Sequence, residues 1–105
     1  IISVFQPHRY SRVKSLIKEF SISFNKSDLV ILCPIYAAGE KKDKNYNQDK
    51  FAKLISTNSK VQVVNIENEY ELKKYLRRNL INKEIVIGMG AGSISKWMRG
   101  LKGNI

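Results

Sequence analysis

The stretch Leu29–Cys33 reads Leu-Val-Ile-Leu-Cys and contains no polar side chain. Strands of a parallel sheet that has helices on both faces are apolar on both sides, whereas strands with one wet face alternate apolar and polar residues. We therefore interpret Leu29–Cys33 as a buried strand of a parallel sheet, and we expect helical segments before and after it.

Three further short runs have the apolar character of strands. They are Ile1–Phe5, Val61–Val64 and Ile85–Ile87. Each run has the length of a strand and is too short for a helix that packs on a sheet. Four strands are therefore predicted, and each is separated from the next by a segment with a different periodicity.

The segments between the strands have helical patterns. From Ser11 to Phe24 apolar residues recur every three or four positions, which predicts a helix with one apolar face. A shorter pattern of the same kind surrounds residues 51–55. Asn68 and Glu71 match a capping box, in which two side chains satisfy free N–H groups at a helix start. This box predicts a helix that runs to about Leu80.

Strand and helix alternate along the whole chain, which predicts a Rossmann-like three-layer α/β/α domain with a mainly parallel sheet. A chain of 105 residues is one domain or part of one. It begins with isoleucine inside a strand-like run, and we expect no secretory leader here. We therefore expect the domain to be truncated at its N-terminus.

Composition argues against several classes of protein. The chain has one cysteine, Cys33, and one histidine, His8, which argues against an internal disulfide and a zinc site. No apolar run approaches the length of about 18 residues that a membrane-spanning helix needs. The formal net charge is +10, but 14 of the 19 basic residues are lysines spread over loops and helices. Such lysines are typical of a solvated surface, so the charge alone does not favour nucleic-acid binding.

The loops that follow the strands are where ligands bind in open α/β sheets. The first of them, Gln6–Arg12, holds His8 and two of the five arginines, Arg9 and Arg12, at the start of a helix. Cations there oppose the helix dipole, so their presence indicates a use for positive charge. Two guanidiniums and free backbone N–H groups would form a clamp for a carboxylate or phosphate. The alternative is a solvated loop.

Two other loops carry residues suited to ligand contact. In Ile35–Glu40, small residues allow close approach of the backbone, and Glu40 could accept a hydrogen bond from an ammonium or a hydroxyl. An ordinary loop with a glycine turn is an equal interpretation. In the segment 88–93, Gly90, Gly92 and Ser93 could cradle an anion. That segment lacks the spacing of a dinucleotide fingerprint or a Walker A loop, and tight packing would explain its glycines as well.

Taken together, the three loops resemble the C-terminal domain of the Mur ligases, in particular of members that join L-alanine to UDP-N-acetylmuramate. The matching segments are Phe5–Arg12 (Phe-Gln-Pro-His-Arg-Tyr-Ser-Arg), Ile35–Glu40 (Ile-Tyr-Ala-Ala-Gly-Glu) and Met89–Ile94 (Met-Gly-Ala-Gly-Ser-Ile). The first segment is highly specific, and the other two support it because they follow in the same order. The resemblance covers nearly the whole chain.

The resemblance implies a cytoplasmic enzyme of peptidoglycan precursor synthesis that uses ATP and Mg²⁺ and proceeds through an acyl phosphate. Residues 1–105 would be part of its C-terminal, substrate-closing domain, and the N-terminal UDP-sugar domain and the central ATP-binding domain would be absent. ATP and Mg²⁺ would be held mainly by those absent domains, with no cofactor held by this segment alone. UDP-N-acetylmuramate and L-alanine are the implied substrates, and neither nucleic acid nor a membrane is an implied partner.

The resemblance also implies roles for particular residues, although it assigns no certain catalytic group. Arg9 and Arg12 match arginines that hold the incoming amino acid and the reacting carboxylate, and His8 would lie beside them. Tyr36 and Glu40 would line the closing face.

The chain departs from the family at Pro34, where an acidic residue is usual. It departs again at Lys41–Tyr46, where the family has a proline-rich stretch. Two alternatives stay open on the residues alone. One is a stand-alone Rossmann-like or flavodoxin-like module for a small ligand, and the other is a basic nucleic-acid-binding module.

Overall fold

The structure is a computed structural model that describes residues 1–79, 86–90, 94 and 96–98. In chain order the helices and strands are β1 (Ile2–Gln6), α1 (Tyr10–Ile22), β2 (Leu29–Leu32), α2 (Gln48–Ser59), β3 (Gln62–Asn65), α3 (Glu69–Asn79) and β4 (Val86–Gly90).

The four described strands form one sheet in the order β3-β2-β1-β4, and all three strand pairs are parallel. β1 and β2 are the central pair, with Ile2 opposite Leu29 and Phe5 opposite Leu32. Parallel strands need a crossover between them, and the helices between the strands supply it. The carboxyl ends of all four strands therefore meet at one edge of the sheet. The predicted parallel α/β domain is confirmed.

Helices cover both faces of the sheet and make three layers. On one face α1 and α2 pack over the strands, and the core there includes the buried Phe5, Val30 and Phe51. On the other face Leu72 and Leu76 of α3 pack against the strand residues whose neighbours in sequence face α1 and α2. Val30, Ile31 and Leu32 have no exposed surface, as the fully apolar sequence of that strand predicts.

All four strands differ from their predicted bounds; β2 ends at Leu32, one residue before the predicted end, and β3 is shifted by one residue to Gln62–Asn65. β1 extends to Gln6, one residue beyond the predicted end at Phe5. β4 runs from Val86 to Gly90, whereas the predicted strand ended at Ile87, and its predicted first residue lies outside the described part of the chain. Glycine lowers strand propensity, but its backbone still pairs, and Gln6 lies opposite Gly90 in the β1–β4 ladder. The interpretation of residues 88–90 as loop was therefore wrong.

Side chains cap the starts of two helices. Asn47 accepts a hydrogen bond from the backbone N–H of Lys50 at 3.0 Å and begins α2. At α3, Asn68 accepts from the N–H of Glu71 at 2.9 Å, as the capping box predicts. The carboxylate of Glu71 reaches back to the N–H of Glu67 at 3.1 Å, one residue before the position expected in that motif. The predicted helix start is thus correct.

The buried hydroxyl of Ser59 holds the chain in place where α1 ends. The Oγ of Ser59 donates to the carbonyl of Ser21 at 2.5 Å and accepts from the N–H of Phe24 at 3.1 Å. Ser59 itself is 2% exposed. This side chain therefore ties the end of α1 to the end of α2.

We expect Ser59→Ala to lower the free energy of unfolding by about 1–3 kcal/mol, because the buried N–H of Phe24 loses its acceptor. Urea unfolding of the chain measures this change. Asn58 is a suitable control, because its amide donates to the Ser21 hydroxyl from a more exposed position at 2.9 Å. An equal or larger loss for Asn58→Ala than for Ser59→Ala would contradict the assignment.

Candidate functional site

The loops after β1 and β2 continue the parallel pairing of those strands beyond the sheet. The N–H of Tyr36 donates to the carbonyl of Pro7 at 2.8 Å, and the N–H of Arg9 donates to the carbonyl of Tyr36 at 2.7 Å. His8 and Tyr36 form an isolated parallel bridge. Two of the predicted loops are thereby held side by side at the carboxyl edge of the sheet.

The rings of His8 and Tyr36 stack at this junction. Their centroids are 5.7 Å apart and their planes differ by 16°. Tyr36 is 39% exposed, so one side of the stack faces solvent. The sequence predicted both residues for the site, and the bridge between their backbones explains why they meet.

Arg9 has an uncommon backbone conformation, with φ 64° and ψ 137°. Residues other than glycine rarely have positive φ, and such conformations persist only where the surroundings enforce them. Here two backbone hydrogen bonds enforce it, from Arg9 N–H to Tyr36 and from Val13 N–H to the Arg9 carbonyl at 3.2 Å.

Arg9 is the N-cap of α1 and precedes its first turn. The sequence placed Arg9 and Arg12 at the start of a helix, but only Arg12 lies in the first turn, because the backbone of Arg9 is not helical. The two arginines nevertheless line one open cleft of about 560 Å³, together with His8, Ser11 and Ser15. The cleft therefore has two arginines in its lining, and the planar donors of a guanidinium match the geometry of a carboxylate.

Glu40 contacts the start of α1. One carboxylate oxygen accepts from the Ser11 hydroxyl at 2.5 Å, and the other accepts from the Ser11 N–H at 3.3 Å. The expected free N–H at this position is therefore already occupied. The hydrogen bond from the Ser11 hydroxyl, with smaller help from backbone N–H groups and the charge of Arg9, holds the pKa of Glu40 below its usual range. Glu40 is thus ionised and hydrogen-bonded to α1 of its own chain.

A tight turn aims Glu40 at α1. The N–H of Glu40 donates to the carbonyl of Ala37 at 3.0 Å, and the two residues between them have positive φ, 52° at Ala38 and 90° at Gly39. Two consecutive positive φ values are typical of a type I′ turn, which glycine favours at the second central position. The glycine turn that was one interpretation of this loop is therefore present, and it places the Glu40 carboxylate at the start of α1.

The rest of the loop after Glu40 is anchored by Tyr46, within the segment that departs from the family pattern. Its hydroxyl donates to the Gln48 side chain at 2.6 Å, and the Gln48 amide donates to the carbonyl of Cys33 at 3.0 Å. Its ring meets Tyr10 edge-on at 5.5 Å. Burial raises the pKa of the Tyr46 hydroxyl, which fits a structural role.

Gln6 is a residue to which the sequence gave no individual role. It is 3% exposed, its amide donates to the carbonyl of Pro34 at 3.1 Å, and its side-chain oxygen accepts from the N–H of Ile94 at 2.9 Å. It therefore joins the ends of β1 and β2 to the segment after β4. The one signal in the sequence was a polar residue directly after a buried apolar strand.

Of the predicted glycine loop, Gly90 is described, whereas Gly92 and Ser93 lie outside the described residues. Gly90 has φ 128°, and a Cβ atom added there would lie 2.3 Å from the carbonyl oxygen of Gln6. Close packing against β1 therefore accounts for this glycine. A cleft of about 400 Å³ lies beside it and also reaches His8 and Arg12.

Cys33 behaves as a core residue, as the sequence indicated. It has no exposed surface, and burial raises the pKa of its thiol to about 12. A thiol of that pKa has almost no thiolate at neutral pH and is not an activated nucleophile. Within residues 1–79, 86–90, 94 and 96–98, no group of three His, Cys, Asp or Glu side chains could hold a metal ion.

The fold and this edge define the class of the protein. A parallel sheet in three layers, with polar loops at the carboxyl ends of its central strands, is a Rossmann-like α/β domain, and its candidate site lies where ligands usually bind in that class. No helix among the described residues has the length and apolar character needed to cross a membrane.

Curated relatives identify the family. The chain is 54% identical to the UDP-N-acetylmuramate–L-alanine ligase of Pelagibacter ubique over 101 residues, which are 96% of this chain and 22% of the relative. It is 43% identical over 97 residues to the ligase of the same name from Fusobacterium nucleatum, covering 90% of this chain and 19% of that protein. The ligase of Rhodospirillum rubrum is 36% identical over 101 residues, 96% of this chain and 21% of its own length. No family model matches the chain.

The chain therefore belongs to the family of UDP-N-acetylmuramate–L-alanine ligases, and it spans about a fifth of the length of the curated relatives it matches. The resemblance seen in the three loops is confirmed. The two alternatives, a stand-alone small-ligand module and a nucleic-acid-binding module, are not favoured. The roles of individual residues stay predictions.

Proposed function

We propose that this chain is the C-terminal, substrate-closing part of a cytoplasmic, ATP-dependent ligase that joins L-alanine to UDP-N-acetylmuramate. The names of the relatives support the reaction, and the coverage of about a fifth of their length supports a part of a larger enzyme. We call that larger enzyme the intact ligase. In the reaction the amine nitrogen of L-alanine bonds to the activated lactyl carbonyl carbon, the leaving oxygen departs with phosphate, and the amine loses a proton.

In this proposal Arg9 and Arg12 bind the carboxylate of L-alanine. Two guanidiniums at the wall of one cleft offer paired N–H donors, and a carboxylate accepts two such bonds in a fixed plane. His8 stacks on Tyr36 at the same edge and would limit where the rest of the amino acid can lie. Fixing one end of L-alanine orients its amine towards the activated carbonyl, and orientation of this kind is a major source of rate enhancement.

ATP and Mg²⁺ fit the intact ligase better than this chain. The part of the chain that the structure describes brings together no carboxylate or imidazole cluster for a divalent cation. The roles proposed for the described residues involve neither the metal nor ATP. We propose that the other domains of the intact ligase bind both.

The observation that carries the proposal is the cleft that has His8, Arg9 and Arg12 at its wall, in a chain 54% identical to a ligase of this name. The arginines of the cleft support a carboxylate clamp, and the names of the relatives support the reaction. The charge of the chain adds nothing to this argument, since its lysines are spread over loops and helices.

We expect the purified intact ligase to form the amide of UDP-N-acetylmuramate only when ATP and L-alanine are both present. The isolated chain of 105 residues should form none, because positioning of the activated carboxylate needs parts that it does not contain. Mass spectrometry of the product measures both. Absence of product with the intact ligase would contradict the proposed function, and product from the isolated chain would contradict its role as one part of the site.

A further inference from the structure

The start of α1 is held by a carboxylate that is remote in sequence. Glu40 lies 29 residues after Ser11, yet it accepts hydrogen bonds from both the hydroxyl and the N–H of Ser11, the second residue of α1. An N-cap side chain normally provides the acceptor for that N–H group. Glu40 therefore performs the capping that the residue at the N-cap does not.

Arg9 cannot cap α1 itself. It is at the N-cap, but a guanidinium has only donors, and no side-chain hydrogen bond is made from this position. The first turn of α1 contains no acidic residue, while arginines stand at its cap and at its third position. The positive end of the helix and two cations thus coincide, and Glu40 is the anion that lies against them.

The place of Glu40 affects both arginines at once. Ser11 lies between Arg9 and Arg12 in sequence, so a carboxylate that fixes Ser11 fixes the segment from which both side chains project. The same loop fixes the Arg9 backbone through the carbonyl of Tyr36. Because Glu40 already satisfies the Ser11 N–H, an incoming carboxylate is left to the guanidiniums.

We propose that Glu40 is a positioning residue for L-alanine, one that sets the spacing of the Arg9 and Arg12 guanidiniums by holding Ser11. This inference rests on the proposed function and adds to it. In this proposal Glu40 acts through its contact with the start of α1, whereas the resemblance implied only that it lines the closing face.

The first test is Glu40→Gln in the intact ligase. Glutamine has the same shape but no charge, and its amide nitrogen cannot accept, so the charge-assisted hydrogen bond that the Ser11 hydroxyl donates to Glu40 is lost. We expect the KM for L-alanine to rise roughly tenfold, since a misplacement of about 1 Å can cost up to ~100-fold. The KM for ATP should stay close to the wild-type value, and the melting temperature should fall by no more than a few degrees, as expected when a helix cap is weakened.

Ser11 provides the second arm of the test. Ser11→Ala removes the hydroxyl donor and should raise the KM for L-alanine in the same direction, whereas Ser11→Thr keeps a hydroxyl and should restore the wild-type value. The double variant of Glu40→Gln and Ser11→Ala should be no worse than the poorer single variant, because both substitutions break the same contact.

Glu71→Gln is the matched control. Glu71 also accepts a backbone N–H at a helix start, from Glu67 at 3.1 Å, but it does so at α3 on the other side of the sheet. The KM of the Glu71→Gln variant for L-alanine should be unchanged. A wild-type KM for Glu40→Gln would overturn the inference, and so would additive effects of the Glu40 and Ser11 variants. Equal rises in the KM for L-alanine and the KM for ATP, together with a markedly lowered melting temperature, would also overturn it, because they indicate a merely structural contact.

The two proposals fail in different ways. If the wild-type intact ligase forms no amide, the proposed function itself is wrong. If the wild-type enzyme is active and Glu40→Gln has a normal KM for L-alanine, only the role of Glu40 is wrong.

Discussion

Replacing Arg12 by lysine in the intact ligase is expected to lower kcat/KM for L-alanine by roughly 10- to 150-fold. Lysine keeps the positive charge but loses the planar pair of donors that matches a carboxylate. A hydrogen bond to a charged group contributes about 1.5–3 kcal/mol, and about 1.4 kcal/mol corresponds to a factor of ten in rate. Steady-state kinetics with L-alanine varied measure the loss.

Two measurements separate this role from a structural one. The KM for ATP and the melting temperature should change little, because Arg12 is exposed and lines an open cleft. Arg78→Lys, an exposed arginine of α3 on the other side of the sheet, should leave kcat/KM unchanged. Wild-type kinetics for Arg12→Lys would reduce Arg12 to a solvated surface residue. A fall in melting temperature in proportion to the lost activity would make its role structural.

The largest expected change in stability comes from Gly90→Ala. The added Cβ would lie 2.3 Å from the carbonyl oxygen of Gln6, and Gly90 also has φ 128°, which side-chain-bearing residues rarely adopt. Backbone strain costs about 1–3 kcal/mol and overpacking about 1–3 kcal/mol, so we expect a loss of about 2–6 kcal/mol in the free energy of unfolding. Urea unfolding of the chain measures it.

Gly39→Ala is the control for Gly90→Ala. Gly39 also has positive φ, at 90°, but no atom lies within 4 Å of a Cβ built there. Its substitution should therefore cost only the backbone term, about 1–2 kcal/mol. Equal losses in the free energy of unfolding for Gly39→Ala and Gly90→Ala would show that β1 and β4 pack less closely at Gly90 than the structure indicates.

The fold could be predicted because its strands differ in kind from its helices. The strand at residues 29–33 is apolar on both faces, and only a sheet covered on both sides buries such a run. The Asn68 and Glu71 capping box located the start of α3, since the contacts that make it lie within four residues. Contacts between residues that are close in sequence can therefore be predicted from the sequence alone.

The ends of the strands could not be predicted in the same way. Gly88 and Gly90 have low strand propensity, so the sequence indicated a loop, but the β1 ladder pairs their backbones. What decides this is register against a strand at the opposite end of the chain, and a glycine run contains no signal for it.

The topology of the sheet predicted that the site residues lie close together, but it did not predict their contacts. Loops after parallel strands share one edge, which brought His8, Arg9 and Arg12 near Tyr36 and Glu40. The positive φ of Arg9 and the contact of Glu40 with Ser11 depend on how two loops pair beyond the sheet. Nothing within either loop specifies that pairing, so Glu40 was assigned to a ligand and Ser11 was given no role.

The central claim is that the arginine cleft recognises the carboxylate of the amino-acid substrate. The most direct measurement compares kcat/KM for L-alanine and for L-alaninamide, which lacks the carboxylate, in the wild-type intact ligase and in Arg12→Lys. Wild-type enzyme should prefer L-alanine strongly, and Arg12→Lys should reduce that preference by roughly 10- to 150-fold, the loss expected for a bidentate charged contact. An unchanged preference in the variant would contradict the claim, because Arg12 would then act on both substrates alike.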